Sequence, residues 1–366
     1  MRMMEKSYKT YLEVNEDNIR YNINYLKEVS HKKLIAVVKA NGYGTSDFEL
    51  ARIASKEGVD LLAVSSIYEA VNLRKKGILT DILILGAVDI EHFDIVREYG
   101  FHIVTVSKDY VLNNARKFLG IKVHLKLNTG MNRIGILPSE AKEVFDVLRK
   151  SNAAVVGIMT HYACSDCDDV FTQKQYKEFN EVVESLNYQF KYIHTCNTDA
   201  TVSLNDEVSN YVRCGLGLLG YSLKKSELKP AVSLYSEVIN VKKVPTGEGV
   251  GYGQKYISNG KGYILTVPIG YADGYLRSNS GRLVYVGDEL CVVTGNVCMD
   301  QMMVKSEVER KIGDRVELFG EHISIVQRAK DTKTVVNELL TNISSRVTRV
   351  FVCYRLKDKV INERYD

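Results

Sequence analysis

Short apolar runs alternate with amphipathic stretches from residue 15 to about residue 220, and this rhythm constrains the fold more than any other feature. Stretches such as DFELARIASKEG and TQKQYKEFNEVVESLN have apolar residues three and four apart, which predicts helices. The apolar runs between the helices predict eight strands: KLIAVVK, LLAVS, ILIL, HIVTV, KVHLKL, AVVGIMT, KYIHT and, less regularly, NYVRCGLG. Strand and helix in alternation indicate parallel βαβ units, and eight of them favour a (β/α)8 barrel over an open sheet.

The pattern changes after Pro230, where β-rich runs follow one another with turns rich in Gly, Asn and Asp and little helix between them. These runs are LYSEVINVKKV, GYILTVPIG, RLVYV, ELCVVTGNV, DRVELFG and RVFVCYRL. The predicted fold class is therefore α/β, with an N-terminal (β/α)8 TIM barrel followed by a C-terminal mostly-β domain. We place the barrel domain at residues 11–229 and the β domain at 230–366, with residues 1–10 packed on the latter.

Composition excludes several classes of protein. The 49 basic and 45 acidic residues leave a formal charge of +4 without long blocks of one sign, which favours neither nucleic acid nor a membrane surface as partner. Seven scattered cysteines in 366 residues are typical of a reducing cytoplasm rather than of a disulfide-stapled secreted domain. No signal peptide or membrane-length apolar run stands out, so we expect a cytoplasmic protein. The alternative is the cytoplasmic domain of a membrane-anchored protein.

The stretch AVVKANGYG places Lys39 at the end of the first barrel strand, and active sites of such barrels lie at the carboxyl ends of the strands. A lysine that loses hydration there has a lowered pKa, and its neutral amine can attack a carbonyl as a Schiff-base lysine does. The alternative is a lysine that caps the strand and extends into solvent.

The segment VVKANGYG resembles the cofactor-binding segment of the alanine racemase family, in which such a lysine carries pyridoxal 5'-phosphate (PLP). Six further segments match the family in order: KLNTGMNRIG, THYACSD, NYVRCGLG, GVGYGQKY, VPIGYADGY and GNVCMDQ. The resemblance implies a (β/α)8 barrel followed by a β domain, a small amino-acid substrate, and a homodimer whose active sites are shared between subunits.

The resemblance assigns the catalytic roles to four residues. Lys39 carries the cofactor and serves as the base on one face of the substrate's α-carbon, and Tyr252 of the other subunit acts on the opposite face. Racemisation needs such a pair, because one base cannot easily reach both faces of a planar carbanion. His161 contacts that tyrosine, while Arg213 supports His161 and donates to the pyridine nitrogen of the cofactor.

The resemblance also assigns cofactor contacts to Tyr43, to Asn197 and Thr198 in CNTDA, and to the backbone amides of Gly215 and Leu216. The phosphate is held by the Tyr43 and Thr198 hydroxyls with the two amides, and neutral donors suffice when backbone amides converge on a dianion. Thr198 stands where serine is commoner in the family, and it keeps the hydroxyl.

In KLNTGMNRIG the resemblance assigns Arg133 to the phenolic oxygen of the cofactor and to the substrate carboxylate. Lys126 corresponds to a lysine that is carbamylated in many members and holds this arginine as an anion. Asn128 occupies a position usually held by aspartate, so one acidic neighbour is missing. We predict carbamylation of Lys126.

Tyr271, Met299 and Asp300 match residues that the β domain lends to the partner's active-site mouth. The backbone amide of Met299 contacts the substrate carboxylate, and Tyr271 narrows the entrance. An isolated subunit would then lack a complete site.

Asn337 departs from the family pattern, because a tyrosine usually precedes the glutamate there and bounds a methyl-sized pocket. The replacement resembles the serine racemases of vancomycin resistance, and a polar wall that pairs with a substrate hydroxyl can select sharply. We therefore predict a serine/alanine racemase that makes D-amino acids for peptidoglycan precursors. The alternative is an ordinary alanine racemase in which Asn337 is neutral.

Other hypotheses carry less weight. CGLGLLG has GxGxxG spacing, but it comes late in the αβ array and lacks an acidic ribose partner. His161, Cys164 and Cys167 have spacing that occurs in metal sites, yet no second ligand cluster lies nearby, so we expect free thiols and no metal. A non-catalytic PLP-binding protein would lack the long β domain. A PLP-dependent decarboxylase with the same two-domain plan would carry substrate-specific sequence signatures that are not evident in this chain.

Overall fold

A computed structural model describes residues 9–354 and 361–363. The chain forms two compact units: residues 18–229 form one, and the described residues up to Asp17 join those from Pro230 onward in the other. Within the described ranges, no helix is long and apolar enough to cross a lipid bilayer.

The first unit is a closed barrel of eight parallel strands, which confirms the predicted barrel. After β1 (Tyr11–Asn15), which belongs to the other unit, its strands are β2 (Lys33–Val37), β3 (Leu61–Val64), β4 (Asp81–Ile84), β5 (His102–Val104), β6 (Lys122–Lys126), β7 (Ala154–Met159), β8 (Tyr192–His194) and β9 (Tyr211–Cys214). β2 pairs with both β3 and β9 and so closes the barrel. The strands are nearly continuous apolar runs because both of their faces are covered.

Helices connect the strands: α1 (Glu16–Ser30), α2 (Lys39–Tyr43), α3 (Asp47–Lys56), α4 (Ile67–Lys75), α5 (Phe93–Tyr99), α6 (Lys108–Leu112), α7 (Ala141–Lys150), α8 (Asp169–Leu186) and α9 (Thr198–Ser203). The α3 and α8 helices coincide with the two helical patterns quoted from the sequence. The start of α4 is fixed by a capping box, in which the Ser66 side chain accepts from Glu69 N and the Glu69 side chain accepts from Ser66 N. The α2 segment is an exception to right-handed geometry and is described with the site.

The second unit is built on a ten-stranded sheet with the order β11-β14-β17-β16-β15-β18-β10-β1-β19-β20. Its strands are β10 (Val232–Glu237), β11 (Asn240–Lys242), β14 (Tyr263–Val267), β15 (Leu283–Val286), β16 (Glu289–Thr294), β17 (Met302–Ser306), β18 (Arg315–Phe319), β19 (Thr348–Val352) and β20 (Ile361–Glu363). A separate hairpin pairs β12 (Gly249–Val250) with β13 (Tyr256–Ile257), and two helices follow β18, α10 (Ile325–Asp331) and α11 (Val336–Thr341). The mostly-β class predicted for this part of the chain is confirmed.

β1 lies in the sheet of the second unit, antiparallel to β10 and parallel to β19. Of residues 1–10, only Lys9 and Thr10 are described: Lys9 pairs with Glu237 at 3.3 Å, and Thr10 donates to the Pro268 carbonyl at 2.9 Å. Residues 1–8 lie outside the described residues. The domain limits 11–229 and 230–366 stay a prediction.

Candidate active site

The predicted site residues of the barrel unit lie at or just beyond the carboxyl ends of its strands. Lys39 follows β2, Lys126 ends β6, His161 follows β7, and Arg213 lies in β9. Because all eight strands run in the same direction, these ends share one mouth of the barrel, where the side chains can act together.

The backbone after Lys39 is left-handed. Residues 40–43, which make up most of α2, all have φ between 51° and 59°. A left-handed conformation costs about 1–2 kcal/mol for each residue other than glycine, so consecutive residues in it need compensating contacts. Gly42 N donates to the Val38 carbonyl at 2.9 Å, and Gly44 N donates to the Ala40 carbonyl at 2.9 Å. The turn leaves Lys39 at the strand end instead of on a continuing right-handed helix.

The amine of Lys39 is half-buried among positive charges. Burial lowers its pKa first, and the guanidinium groups of Arg133 and Arg213 lower it further, while Glu69 raises it. The Lys39 amine therefore loses its proton more readily than a lysine in water.

Arg213 is buried at the centre of a hydrogen-bond network. Its Nη1 donates to His194 Nδ1 at 2.8 Å, and its Nη2 lies 3.0 Å from both His161 Nδ1 and the Thr160 carbonyl oxygen. No acceptor within the described residues takes its Nε–H. Burial lowers the pKa of Arg213 to about 10, which still leaves the guanidinium charged at neutral pH.

A chain of three buried histidines extends from Arg213 through the barrel. Arginine can only donate, so His194 accepts at Nδ1 and carries its proton on Nε2. His194 Nε2 then donates to His124 Nδ1 at 2.8 Å, and His124 Nε2 donates to His102 Nδ1 at 3.0 Å. His102 Nε2 lies 3.5 Å from Asp81 Oδ2, an electrostatic contact too long for a well-formed hydrogen bond. All hydrogen bonds in this row of histidines therefore point the same way, with each donor on the side nearer Arg213.

His161 is held by the same arginine, and its Nδ1 is an acceptor by the same argument, which leaves Nε2–H free to donate elsewhere. Burial and the charge of Arg213 lower the pKa of His161 well below its ordinary value. His161 is therefore neutral, and Arg213 is the charged member of this pair.

Tyr43, Thr198 and Gly215 meet beyond β9. A side-chain carbon added at Gly215 would lie 2.1 Å from the Tyr43 hydroxyl, so glycine is required for this approach. Thr198 Oγ1 accepts from Gly217 N at 3.1 Å. Leu216 begins a short 3-10 helix, and its N–H has no intrahelical acceptor by position. Asn197 caps α9 by accepting from Ala200 N at 3.0 Å.

Lys126 is buried, whereas Arg133 is exposed in the loop that follows β6. Burial and the neighbouring charges of Arg213, Arg133 and Lys39 lower the pKa of Lys126 to about 7. Asn128 closes the loop between them: its Oδ1 accepts from Asn132 N at 2.8 Å.

The second unit carries the other predicted site residues on exposed turns. Tyr252 is 75% exposed, and its carbonyl accepts from Asn296 Nδ2 at 2.9 Å. Met299 is 53% exposed and Tyr271 is 39% exposed, and Tyr271 N donates to the Cys298 carbonyl at 3.0 Å.

Asp300 and Asn337 also lie on the surface of this unit. Asp300 accepts from Arg346 Nη2 at 2.7 Å, and Arg346 also lies 3.3 Å from Asp273. Asn337 is on the first turn of α11, where its carbonyl accepts from Thr341 Oγ1 at 2.7 Å. Its side chain is exposed and has no protein partner within the described residues.

Cys164 and Cys167 lie in one turn after His161, in which Cys167 N donates to the Cys164 carbonyl at 3.0 Å. Both thiols are free. No group of three or more His, Cys, Asp or Glu side chains within residues 9–354 and 361–363 is arranged to hold a metal ion.

Comparisons with known proteins agree with this architecture. The family model for the alanine racemase N-terminal domain matches residues 14–223, and that for the alanine racemase C-terminal domain matches residues 231–351. The alanine racemase of Staphylococcus epidermidis is 34% identical over 99% of both chains. The crystal structure of alanine racemase from Bacillus anthracis is 32% identical, covers 98% of both chains and has a TM-score of 0.90. A histidine racemase from Leuconostoc mesenteroides is 27% identical, covers 94% of this chain and 98% of that one, and has a TM-score of 0.87.

The fold and the site thus define a barrel enzyme of the kind that binds a cofactor through a lysine at a strand end. The chain belongs to the alanine racemase family, whose members are PLP-dependent amino-acid racemases. The residues present fit this cofactor on three observations. Lys39 has a partly desolvated amine, and Arg213 has an Nε–H without a protein acceptor within the described residues. Gly215 has no side chain, which lets the Tyr43 hydroxyl lie against the backbone at the start of the 3-10 helix.

The sequence analysis missed the residues that support this site. Glu69 accepts from Ala40 N beside Lys39, and its signal was the SSIYE capping-box pattern. His102, His124 and His194 were each visible as a single histidine inside an otherwise apolar barrel strand. The sequence does not show what a histidine inside the barrel would bind, because its partners come from other strands.

The chain of buried histidines gives a testable expectation. His102, His124 and His194 should be neutral Nε2–H tautomers at about pH 6.5, where a free imidazole is half protonated, because burial lowers the pKa of each below its ordinary value. Imidazole ¹⁵N NMR measures this directly. The urea-unfolded protein is the control, and its histidines should all titrate.

The same shifts fix the sign of the pH effect on stability. Below about pH 6.5 these histidines bind protons in the unfolded chain but stay neutral in the folded protein. The free energy of unfolding should therefore fall as the pH decreases. Folded-state titration of these rings near pH 6.5, or Nδ1–H tautomers, would contradict the assigned chain.

Proposed function

We propose that this protein is a PLP-dependent racemase that interconverts the L and D forms of serine and of alanine. Membership of the alanine racemase family supports racemase chemistry. The observation that carries the choice of serine is Asn337, an exposed amide at the position where the family usually has a tyrosine.

The residues that would hold PLP follow from the family assignment and the contacts above. Lys39 would form the covalent bond, and Arg213 would donate its Nε–H to the pyridine nitrogen. The remaining contacts would come from Tyr43, Arg133, Asn197, Thr198, Gly215 and Leu216. When bound, the cofactor withdraws electrons from the substrate's α-carbon and so makes its C–H bond acidic.

The chain's own residues would move the proton. Lys39 Nζ would take it from, or return it to, one face of the α-carbon, since the pKa of its ammonium group is lowered. The hydroxyl of Tyr252 of the partner subunit would act on the opposite face. A phenol serves as a base near neutral pH only beside positive charge, which Arg213 would supply through the neutral His161.

This mechanism requires a homodimer with shared active sites. The exposure of Tyr252, Met299 and Tyr271 supports it, because large apolar side chains grouped on a surface are typical of an interface. Arg133 and the backbone amide of Met299 would bind the substrate carboxylate, with Tyr271 and Asp300 at the mouth of the site.

The choice of serine rests on the chemistry of one wall of the pocket. The amide of Asn337 can both donate to and accept from a substrate hydroxyl, and a site that pairs with a hydroxyl discriminates far more than one extra apolar contact does. The histidine racemase shows that close structural relatives act on other side chains. A serine racemase of this kind would supply D-serine for altered cell-wall precursors in the cytoplasm, as in vancomycin resistance.

Two alternatives remain within the fold. An ordinary alanine racemase, in which Asn337 contributes nothing, is supported by the names of the relatives. A PLP-dependent decarboxylase is the less favoured reading, because the family models matched are those of the racemases.

Substitution of Asn337→Tyr tests the substrate proposal. The added ring should lower kcat/KM for L-serine about 10-fold or more relative to that for L-alanine, because it removes the partner of the β-hydroxyl. Racemisation of L-serine and L-alanine, measured side by side on chiral chromatography, gives the ratio. Asn342→Tyr, at the exposed end of the same helix, is the matched control. An equal loss on both substrates would leave the ordinary alanine racemase as the better account.

Carbamylation of Lys126 is also part of the proposal. Only a neutral amine reacts with carbon dioxide, and its loss of a proton and the formation of the carbamate both release protons. At fixed carbon dioxide pressure the carbamylated fraction should therefore increase with pH through the neutral range, because burial and neighbouring positive charge lower the pKa of Lys126 to about 7. The product would be an anion next to Arg133. Protein equilibrated with ¹³C-bicarbonate should show a carbamate signal by NMR that Lys126→Ala abolishes. A lysine that stays unmodified at saturating carbon dioxide would refute it.

A further inference from the structure

The carboxylate of Glu69 connects two segments of the barrel mouth. Its Oε2 accepts from Ser65 N at 2.7 Å and from Ser66 N at 3.1 Å, at the start of α4. Its Oε1 accepts from Ala40 N at 2.7 Å. A helix-capping glutamate needs only the first set of contacts, so the bond to Ala40 is an additional use of this side chain.

The bond to Ala40 comes where the backbone most needs support. Ala40 is the first left-handed residue after Lys39, with φ of 51°, and it has a side chain that disfavours this conformation. The far end of the turn has its own contacts: Asn41 Oδ1 accepts from Asp47 N at 3.2 Å, and Thr45 Oγ1 donates to the Gly42 carbonyl at 2.6 Å. Glu69 is the contact at the near end.

Glu69 also affects the charge around the amine. The groups that act on Lys39 are Arg133 and Arg213, which are positive, and Glu69, which is negative. Lys126 also interacts with Lys39, and it adds positive charge only while it is protonated and not carbamylated. The carboxylate of Glu69, bound to the N–H of the residue after Lys39, therefore partly offsets the positive charge around the amine.

We infer that Glu69 is a positioning residue for Lys39: its carboxylate holds the Ala40 peptide in the left-handed turn and so fixes the direction of the lysine side chain. The inference rests on the proposed role of Lys39 as the cofactor lysine. Glu69 acts through the backbone and through its charge, and it need not touch the substrate.

Three variants separate positioning from helix capping. Glu69→Ala removes the bond to Ala40 and the cap, whereas Glu69→Gln keeps one acceptor oxygen but removes the charge. Ser66→Ala is the matched control, because it removes the other half of the same capping box and leaves the Glu69 to Ala40 bond in place.

Hydrogen exchange of the Ala40 amide in cofactor-free protein measures the strength of its hydrogen bond to Glu69 and needs no activity assay. We expect Glu69→Ala to exchange about 10-fold faster than wild type and to bind PLP about 10-fold more weakly, the effect of one charge-assisted hydrogen bond. Ser66→Ala should lower Tm as Glu69→Ala does, but leave both of these quantities within about 2-fold of wild type.

The Glu69→Gln variant tests the charge. Without the carboxylate a proton on the nitrogen that joins Lys39 to the cofactor would be less stabilised, so the pH midpoint at which the lysine-bound cofactor loses its yellow absorbance should shift to lower pH. A purely structural role would not move this midpoint. If Glu69→Ala does not fold, this shift and the Ala40 exchange in Glu69→Gln decide the matter.

Two results would overturn the inference. One is Glu69 variants that match wild type in Ala40 exchange, PLP affinity and pH midpoint, and the other is a Ser66→Ala variant that loses as much as Glu69→Ala. Wild-type protein that binds no PLP would contradict the proposed function, and the inference with it. If wild-type protein binds PLP and the Glu69 variants behave as wild type does, the inference is contradicted but the proposed function is not.

Discussion

The placement of the Lys39 amine at the end of a buried strand is the constraint on which the site depends. The barrel brings Arg133 and Arg213 to the same mouth, and their charges favour a neutral amine at Lys39. The same excess of positive charge favours an anionic ligand. A phosphate and a carboxylate are the anionic groups of PLP and of an amino acid, so one electrostatic arrangement serves both the lysine and its ligands.

Arg213 shows how the barrel keeps a charge buried. It donates to the carbonyl oxygens of Thr160, His194 and Thr195 and to the rings of two neutral histidines, and no carboxylate pairs with it within the described residues. Its two Nη groups are hydrogen-bonded while its charge is not cancelled, which is costly in a protein interior. The charge thus stays available at the barrel mouth, and the ring of a bound cofactor would meet a donor that cannot give up its proton near neutral pH.

The sequence predicted the barrel well because each strand is an apolar run of the length that a buried parallel strand needs, and α3 and α8 have clear helical periodicity. It missed β1, β17, β20 and the short strands β12 and β13. Buried and partly exposed residues alternate along the YLEVN segment of β1, as in a strand with one covered face. Its partner β10 is far away in the sequence, so the sequence pattern does not reveal that the two strands pair.

Some site residues could be predicted because their residue type and position in the sequence indicate a chemical role. Lys39 at a strand end and a glycine at 215 are visible in the sequence, and the structure brings both to the barrel mouth. The left-handed turn after Lys39 was not predicted, because Ala40 and Tyr43 disfavour positive φ and only the surrounding contacts impose it. The direction of the histidine chain likewise follows from Arg213 as an obligate donor, which becomes evident only when the four side chains are in contact.

The most direct measurement of the central claim is the site at which the cofactor attaches. Protein loaded with PLP, reduced with borohydride and digested, should yield a pyridoxyl group on Lys39 alone when its peptides are mapped by mass spectrometry. A pyridoxyl group on Lys126 or on another lysine, or no labelled peptide after saturation with PLP, would contradict the account.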